Sequence, residues 1–532
     1  MKKTVIFLIL ITLNVFAQNL LKPVWKFNTG DDLKWAAVDF NDSQWKEISA
    51  GTIWEKQGFE GYDGFAWYRT SVVIPSSLKA DAKKNGGLLL DLGKIDDADE
   101  TFFNGVKIGF SGGVPPEFKN AYADLRKYNI DFDKINWDKA NVIAVRVWDN
   151  GGGGGMYSYA PELKVKGATD NLVIEPKFPQ SNRIFLNNAS ISIPLNITYS
   201  GSYSIEGKVV IKVLSDFGKL AYETKLDLSL PKNSKKTIDI PLGKLEPGFY
   251  NASINVESAT SNKSIQFAFG VDPEKIVSPT DRQPDFENYW NRAKKELAAV
   301  DPQYKLILVD SLSKESRNVY VVEMRSLGNV LVRGWYAVPK KSGKYPALLV
   351  VQGYSSFLQL DWAYKGDDFV VLALNVRGHG FSKDNVNPGF PGYLQHFVND
   401  KEQYIYRGAY MDTRRALDFL VSRPEVDSTR MVVEGGSQGG ALSVATAALN
   451  PDRIKLCIPA VPFLSDFRDY FVVGNWPGNE FKEYVAKNPN VGWEKVYETL
   501  SYIDIKNLAP WVKCPVLMGI GLVDDVCPPH IN

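Results

Sequence analysis

The stretch RMVVEGGSQGGALSVATAALN, residues 430–450, decides the fold of the C-terminal half of this chain. A β-rich run at 431–433 breaks at glycines around one serine, and a helix-forming run follows at 441–449. Residues 435–439, GGSQG, fit the pattern Gly-x-Ser-x-Gly. A serine lifted onto so sharp a turn leaves no room for side chains beside it, which is why the pattern needs glycine. The stretch therefore predicts a nucleophile elbow with Ser437 between a strand and a helix.

A second match to the same pattern lies at residues 109–113, GFSGG. It runs directly into Val114-Pro115-Pro116 and so opens no helix, because proline cannot continue the backbone hydrogen bonding that a helix needs. The structural context around the two matches therefore favours Ser437, and not Ser111, as a nucleophile.

After residue 285 a helical period is followed by strands and helices in alternation. Runs such as ALLVVQG, FVVLALNV, MVVEG and KLCIPAV are almost entirely apolar, which is typical of parallel strands covered on both faces. Such folds place the active site beyond the carboxyl ends of the strands. The predicted fold class of residues 285–532 is an α/β domain with a mostly parallel sheet, and Ser437 lies at the expected edge.

Four motifs extend this interpretation: NVRGHG at 375–380, YRGAYMDTRRALDFLVSRPEVD at 406–427, VPFLSDF at 461–467 and KCPVLMGIGLVDDVCPP at 513–529. With the elbow among them, residues 286–532 resemble the acetyl xylan esterase and cephalosporin C deacetylase family of carbohydrate esterases. The resemblance implies an α/β-hydrolase fold and a serine acyl-enzyme mechanism. It implies no metal and no organic cofactor.

Ester hydrolysis by a serine needs an imidazole to remove its proton and a carboxylate to hold that imidazole. Asp524 follows the run VLMGIGLV and matches the family's orienting aspartate, with Asp525 as its near rival. The oxyanion needs two backbone donors, one of them the residue after the nucleophile. These are the amides of Gln438 and Tyr354, the second placed by the resemblance, and the Tyr354 ring is expected to wall a small acyl pocket.

The base is where the sequence departs from the family. Its three histidines are His379, His396 and His530, whereas the family's catalytic histidine follows a further strand after the aspartate motif. We therefore expect that the catalytic histidine is not present in these 532 residues, that the chain is truncated before the last strand and helix, and that the protein as it stands is nearly inactive. His530, six residues after Asp524, is the alternative base.

The first half of the chain has a different character. Residues 1–17 carry two lysines and then a short apolar run, which predicts a signal peptide and a secreted or periplasmic protein. The chain has 62 basic and 61 acidic residues, so no nucleic-acid partner is expected, and no apolar stretch is long enough for a membrane helix. Three scattered cysteines fit no metal-ligand spacing.

Residues 19–168 contain short alternating runs rich in tryptophan and resemble the jelly-roll, galactose-binding-like module of family-two glycosidases. Trp35, Trp45, Trp54 and Trp67 are candidates either for stacking on sugars or for core packing. The acidic residues Asp96, Asp97, Asp99 and Glu100 either bind calcium or form a solvated turn. The five glycines at 151–155 predict a flexible surface loop. Residues 169–272 predict an immunoglobulin-like β-sandwich that spaces its neighbours.

The whole sequence thus predicts two all-β sandwich modules followed by an α/β-hydrolase domain. The expected function is a secreted esterase that removes acetyl groups from acetylated xylan or xylo-oligosaccharides, and an oligomer is possible. Two alternatives stay open: a prolyl-oligopeptidase-like serine peptidase, and a non-catalytic sugar-binding protein with an inactive hydrolase domain. The absence of propeller-like repeats argues against the peptidase.

Overall fold

The computed structural model describes residues 19–187, 190–259, 261–358 and 366–532. The predicted signal peptide, residues 1–17, lies outside the described residues. None of the helices within these ranges has the length and apolar character that a membrane span requires. Hydrophobic side chains gather in three large buried cores, one for each predicted part of the chain.

The first part is a sandwich of two sheets, in which strands alternate buried and exposed side chains. One sheet has the order β2-β1-β3-β8-β5-β6, and the other has β10-β4-β7 with β9 paired to β4. The strands are β1 (Val24–Thr29), β2 (Lys46–Ser49), β3 (Gly64–Val73), β4 (Leu88–Asp96), β5 (Ala98–Phe103), β6 (Val106–Ser111), β7 (Leu125–Ile130), β8 (Ala140–Asp149), β9 (Gly155–Met156) and β10 (Glu162–Val165). A short helix, α1 (Lys79–Asn85), precedes β4.

The tryptophans of this sandwich divide between core and partly buried positions. Trp54 and Trp67 are fully buried, so neither presents a face to a sugar. Trp35 and Trp45 pack edge to face with their ring centroids 5.1 Å apart and are half-buried. Aromatic residues here mainly fill the interior.

The second part is also a sandwich, with sheets β11-β13-β16 and β12-β18-β17-β14-β15. Its long strands pair mostly antiparallel, and their alternate side chains meet in one core between the sheets. The strands are β11 (Leu172–Pro176), β12 (Ile184–Phe185), β13 (Ile191–Tyr199), β14 (Ile205–Ser215), β15 (Leu220–Leu230), β16 (Ser234–Gly243), β17 (Gly248–Ser258) and β18 (Asn262–Val271).

The third part contains one seven-stranded sheet of order β19-β20-β21-β23-β22-β24-β25. Pairing is antiparallel from β19 to β23 and parallel among β23, β22, β24 and β25. Parallel pairing is therefore limited to the four strands at one end of the sheet, β23, β22, β24 and β25. The strands are β19 (Lys305–Leu308), β20 (Arg317–Arg325), β21 (Leu331–Pro339), β22 (Tyr345–Val351), β23 (Val370–Asn375), β24 (Val426–Gly436) and β25 (Ile454–Ala460).

Helices pack against this sheet. Every residue of α4 is buried, because the helix is enclosed by the sheet and by neighbouring helices, and its composition is accordingly apolar almost all round. The helices are α2 (Phe286–Ala298), α3 (Ile405–Val421), α4 (Gln438–Leu449), α5 (Phe467–Val473), α6 (Asn479–Lys487), α7 (Gly492–Ile503) and α8 (Ile505–Leu508).

The predicted strand CPVLMGIG does not form a regular strand. It joins β25 through two parallel bridges, Cys457 with Val516 and Ala460 with Gly519. Four backbone hydrogen bonds of 2.7–3.1 Å accompany the bridges, so the segment follows the sheet edge. This path brings the segment that follows it, which contains Asp524, to the same end of the sheet as the elbow.

Candidate active site

Ser437 occupies the turn between β24 and α4 and has φ 55° and ψ −119°. A non-glycine residue rarely adopts a positive φ, and it keeps one only where the surrounding structure holds it there. The Ser437 amide donates to Ala460 O at 2.9 Å, and its carbonyl accepts from the amides of Ala441 and Phe463. The backbone of the serine is thus held from three directions, which leaves its half-buried side chain at the surface of the turn.

The glycines of the motif are needed for close approach. A Cβ on Gly435 would lie 2.6 Å from Gly439 O, and one on Gly439 would lie 2.4 Å from Val351 O. Both distances are shorter than real contacts allow, so any larger residue would push the elbow away from the end of β22. Gly436 has no such neighbour, since its nearest atom is Ala460 O at 4.0 Å.

Gln438 is the first residue of α4, so its amide has no partner within the helix, and the positive end of the helix dipole lies there. Its side chain is fully buried behind the elbow. Tyr406 donates its hydroxyl hydrogen to Gln438 Oε1 at 2.6 Å, which orients the amide group toward His379. The Gln438 Nε2 then lies 3.1 Å from His379 Nε2 and donates to it. The side chain therefore anchors the residue that supplies the first backbone amide of α4.

His379 is a structural partner of the elbow rather than a solvent-exposed base. Its ring is completely buried and packs edge-on against Phe390 and Tyr393. Burial lowers the pKa of His379 to about 3, so the imidazole is neutral at physiological pH and its Nε2 can accept from Gln438. The loop that carries it is held by Arg377, whose Nη2 lies 2.7 Å from Asp412 Oδ1 on α3.

Tyr354 lies in the loop after β22, next to the elbow. A Cβ on the preceding Gly353 would lie 3.7 Å from Gly436 O, which shows how closely the two loops approach. The buried Tyr354 ring packs against Phe390 and Trp476, and its hydroxyl donates to Glu480 Oε1 at 2.6 Å. The ring is therefore held in place by these contacts, in the loop that approaches the elbow.

Asp524 forms a tight turn beside the serine. Its Oδ1 accepts from the amides of Val526 at 2.9 Å and Cys527 at 2.8 Å. The same turn brings Cys527 Sγ to 3.6 Å from Ser437 Oγ. Burial raises the pKa of the Cys527 thiol to about 12, so it stays protonated. The structure thus brings Ser437 and the Asp524 turn together, while Asp525 is exposed at the surface.

His530 points away from this pair. Its Nδ1 lies 2.8 Å from Asp216 Oδ2 in the second sandwich, and its Nε2 lies 3.2 Å from Asp469 Oδ2 on α5. Burial alone would lower the pKa of His530, but the hydrogen bonds and charges of Asp216 and Asp469 outweigh burial and raise it. Both ring nitrogens are occupied by carboxylates, so His530 joins two parts of the chain.

His396 packs against Phe397, with ring centroids 4.5 Å apart, and burial lowers its pKa. It lines a separate cavity of about 300 Å³ together with Arg377, Glu402 and Arg407. A different cavity, of about 380 Å³, opens beside Asp524 and is lined also by Phe249 and Phe267 of the second sandwich. The second sandwich thus contributes to the surface next to the predicted orienting carboxylate.

The sequence did not indicate the supporting roles of four residues: Tyr406, His379, Glu480 and Cys527. All of them act through contacts between segments that are distant in the chain. His379, Tyr406 and Cys527 each lie in a motif quoted from the sequence, but those motifs did not indicate which distant segments they contact.

The acetyl xylan esterase family model matches residues 274–532. An acetyl xylan esterase of known structure from Paenibacillus sp. R4 is 34% identical over 48% of this chain and 85% of its own, with a TM-score of 0.46. The chain belongs to the acetyl xylan esterase family. Membership supports carbohydrate esterase activity and confirms the resemblance predicted from the motifs.

Two further relatives also match this chain, the first over more than half of its length and the second over about a quarter. Acetyl esterase Axe7A from Xylanibacter ruminicola is 29% identical over 321 residues, which are 56% of this chain and 69% of that protein. Beta-galactosidase BoGH2A from Bacteroides ovatus is 29% identical over 135 residues, 23% of this chain and 14% of that protein. The second match fits the predicted resemblance of the N-terminal module to family-two glycosidases.

Proposed function

We propose that this family member is a secreted serine esterase that removes acetyl groups from acetylated xylan or xylo-oligosaccharides. Ser437 attacks the acetyl carbonyl, and the amides of Gln438 and Tyr354 receive the negative charge that develops on the carbonyl oxygen. Asp524 orients the imidazole that takes the serine proton. The observation that carries the proposal is the strained backbone of Ser437 at the N-terminus of a buried helix, beside the Asp524 turn.

The oxyanion site is supported by its preorganisation. The side chain of Gln438 is held by Tyr406 and His379, so its backbone amide cannot turn away during the reaction. Fixed donors stabilise a developing charge better than mobile ones because they need no reorganisation. Removal of one such donor costs about 10²–10³-fold in turnover.

None of the three histidines is proposed as the base. His379 is buried behind Gln438, His530 is bonded to two carboxylates, and His396 lines another cavity. We therefore propose that the 532 residues supply the nucleophile, the oxyanion donors and the orienting carboxylate, but have low activity without an added imidazole.

Chemical rescue tests this directly. With p-nitrophenyl acetate, free imidazole is expected to raise the rate of the wild-type protein by about 10- to 100-fold, less than the 10²–10⁴-fold of a positioned base. Imidazole hydrolyses the ester by itself, so the rate measured with imidazole but without protein is subtracted. High activity without imidazole that His530→Ala abolishes would show that His530 is the base.

Acyl selectivity tests the substrate class. The Tyr354 ring is fixed near Ser437 by Glu480, so extra methylenes on the acyl group are expected to meet a rigid wall. Acetyl esters should react clearly faster than butyryl esters under the same rescue conditions. Equal or faster cleavage of butyryl or octanoyl esters would indicate a lipase-like enzyme instead.

A further inference from the structure

Three carboxylates meet at one end of the first sandwich. Asp96 ends β4, Asp97 follows it, and Asp149 ends β8. One side-chain oxygen from each lies within 4.8 Å of the other two. Asp97 and Asp149 are only 4% and 0% exposed, so water does not screen their charges effectively. Three anions at this distance repel one another unless a proton or a cation neutralises them.

The hydrogen bonds of Arg126 go to groups other than the side chains of this cluster. Arg126 donates from Nε to Asp99 Oδ1 at 3.0 Å, and its Nη2 donates to the backbone carbonyl of Asp97. Glu100 is paired with Lys107 and Arg146. The fold therefore divides the predicted set of Asp96, Asp97, Asp99 and Glu100. Asp99 and Glu100 pair with arginine or lysine, whereas Asp96 and Asp97 lie beside Asp149.

Asp149 carries a buried oxygen without a partner. Its Oδ1 accepts from the amide of Gly151 at 3.0 Å. Within the described ranges, its Oδ2 is buried and makes no hydrogen bond. A buried carboxylate oxygen that has lost its water and gained no donor is unfavourable, and such an atom is a natural ligand for a hard cation.

The glycine run 151–155 contributes to this enclosure and is not simply a flexible surface loop. Gly154 and Gly155 are buried, and a Cβ on Gly154 would lie 2.1 Å from the Trp54 ring and 2.6 Å from Asp149 Oδ2. The end of the loop therefore packs directly over the aspartate, and only glycine fits there.

The protonation behaviour agrees with the crowding of charge. Burial, and then the neighbouring Asp97 and Asp149, raise the pKa of Asp96 to about 7 despite the opposing charge of Arg126. Burial raises the pKa of Asp149 to about 6; the Gly151 amide opposes this, while Asp63, Asp97 and Glu55 add to it.

We propose that Asp96, Asp97 and Asp149 hold a calcium ion. Calcium binds oxygen at about 2.3–2.6 Å, so two of its ligands can lie up to about 5 Å apart, whereas magnesium needs a tighter set. Because β4 and β8 belong to different sheets, the ion ties the two sheets together and fixes the glycine loop. The site stabilises the module and takes no part in ester hydrolysis.

Thermal unfolding of the full chain tests the proposal. After treatment with a chelator, 1 mM calcium at pH 7 is expected to raise the unfolding temperature of the first module by about 5–10 °C, provided the ion is well above its dissociation constant. Asp149→Asn should abolish this shift. Without calcium, the same variant should unfold no lower than the wild-type protein, because it removes a repelling charge. A purely structural aspartate would instead destabilise the module when replaced.

Asp133→Asn is the matched control, since Asp133 is exposed in the same module and its replacement removes the same charge. It should keep the full response to calcium. If Asp149→Asn does not fold, Asp96→Asn and titration calorimetry with calcium on the wild-type protein decide the matter. The proposal is overturned if calcium produces no shift or no binding heat, if the shift persists in the aspartate variants, or if magnesium gives an equal shift.

Discussion

Two turns of this chain carry the pattern Gly-x-Ser-x-Gly, and their structures differ completely. Ser111 is the last residue of β6, and its hydroxyl is 3.0 Å from the hydroxyl of Tyr128. Ser437 has a positive φ and begins a buried helix. The pattern of residues is the same, but only the second turn joins a strand to a helix and points a serine at a carboxylate-bearing turn.

The glycines of the two turns also serve different contacts. A Cβ on Gly109 would meet the Tyr128 ring at 2.1 Å, a side-chain contact within the sandwich. A Cβ on Gly439 would meet the backbone of β22. A short motif thus specifies a close approach of two segments, while the surrounding elements determine which segments approach.

The largest expected difference is in catalysis. Ser437→Ala should lose all of the imidazole-supported hydrolysis of p-nitrophenyl acetate, because the nucleophile is gone. Ser111→Ala should keep that activity within about twofold, since surface and sandwich hydroxyls far from the site contribute only to stability. The initial rates of the two variants at equal concentration check this. Retention of a tenth of the rescued rate by Ser437→Ala would contradict the assignment.

The next effect is on the stability of the elbow. Gly439→Ala should lower the free energy of unfolding of the esterase part by about 1–3 kcal/mol, because the new methyl group would clash with Val351 O. Gly436→Ala is the matched control in the same turn, where the space is open. Urea unfolding of both variants measures the difference. Equal stability of the two would mean that the elbow relaxes freely.

The buried imidazole of His379, behind Gln438, predicts a dependence of stability on pH. The folded pKa of His379 is about 3 and lies below its ordinary value near 6.5, so the unfolded chain binds a proton that the folded chain does not. Stability is therefore lost as the pH falls below about 6.5, with His379 contributing up to about 1.4 kcal/mol per pH unit. His379→Asn should show a shallower loss than the wild-type protein between pH 6.5 and 4.5. Parallel stability curves for the two proteins would contradict the burial of a neutral imidazole.

The smallest expected effect concerns His530, which bonds to Asp216 and Asp469. Its folded pKa is raised, so its contribution is complete below the ordinary value near 6.5 and is lost as the pH rises through the folded value. The expected loss is about 1 kcal/mol, because the pair with Asp469 is partly exposed. Thermal unfolding at pH 6 and pH 8.5 checks this against Asp216→Asn. At pH 6 the Asp216→Asn variant should unfold at a lower temperature than the wild-type protein. At pH 8.5 the difference between their unfolding temperatures should be smaller.

Much of the site was predictable because it rests on local patterns. The elbow at Ser437, the helix after it and the motif around Asp524 are each read from a few neighbouring residues, and the family was confirmed by comparison. The roles of Ser437, Asp524, Tyr354 and Gln438 remain predictions. The pairing of Gln438 with His379 was not predictable, because 59 residues separate them and no local pattern links them.

The acidic residues of the first sandwich show the same difference between what local patterns predict and what they do not. The sequence contains four acidic residues within one short segment, but strand alternation sends the side chains of Asp99 and Glu100 in β5 to opposite faces, so the four could not all share one site. The fold paired Asp99 with Arg126 and brought Asp149 in from another strand. A run of like residues did not predict which of them meet.

Periodicity, glycine geometry and short motifs are properties of neighbouring residues. From them the sequence alone indicated the all-β or α/β class of each part, the family of its C-terminal half and the turn between strand and helix that carries Ser437. The sequence alone did not indicate which histidine supports Gln438, which histidine joins two parts of the chain, or which carboxylates lie close together. Those outcomes depend on the burial of charged and polar groups between distant segments, and burial is a property of the packed molecule.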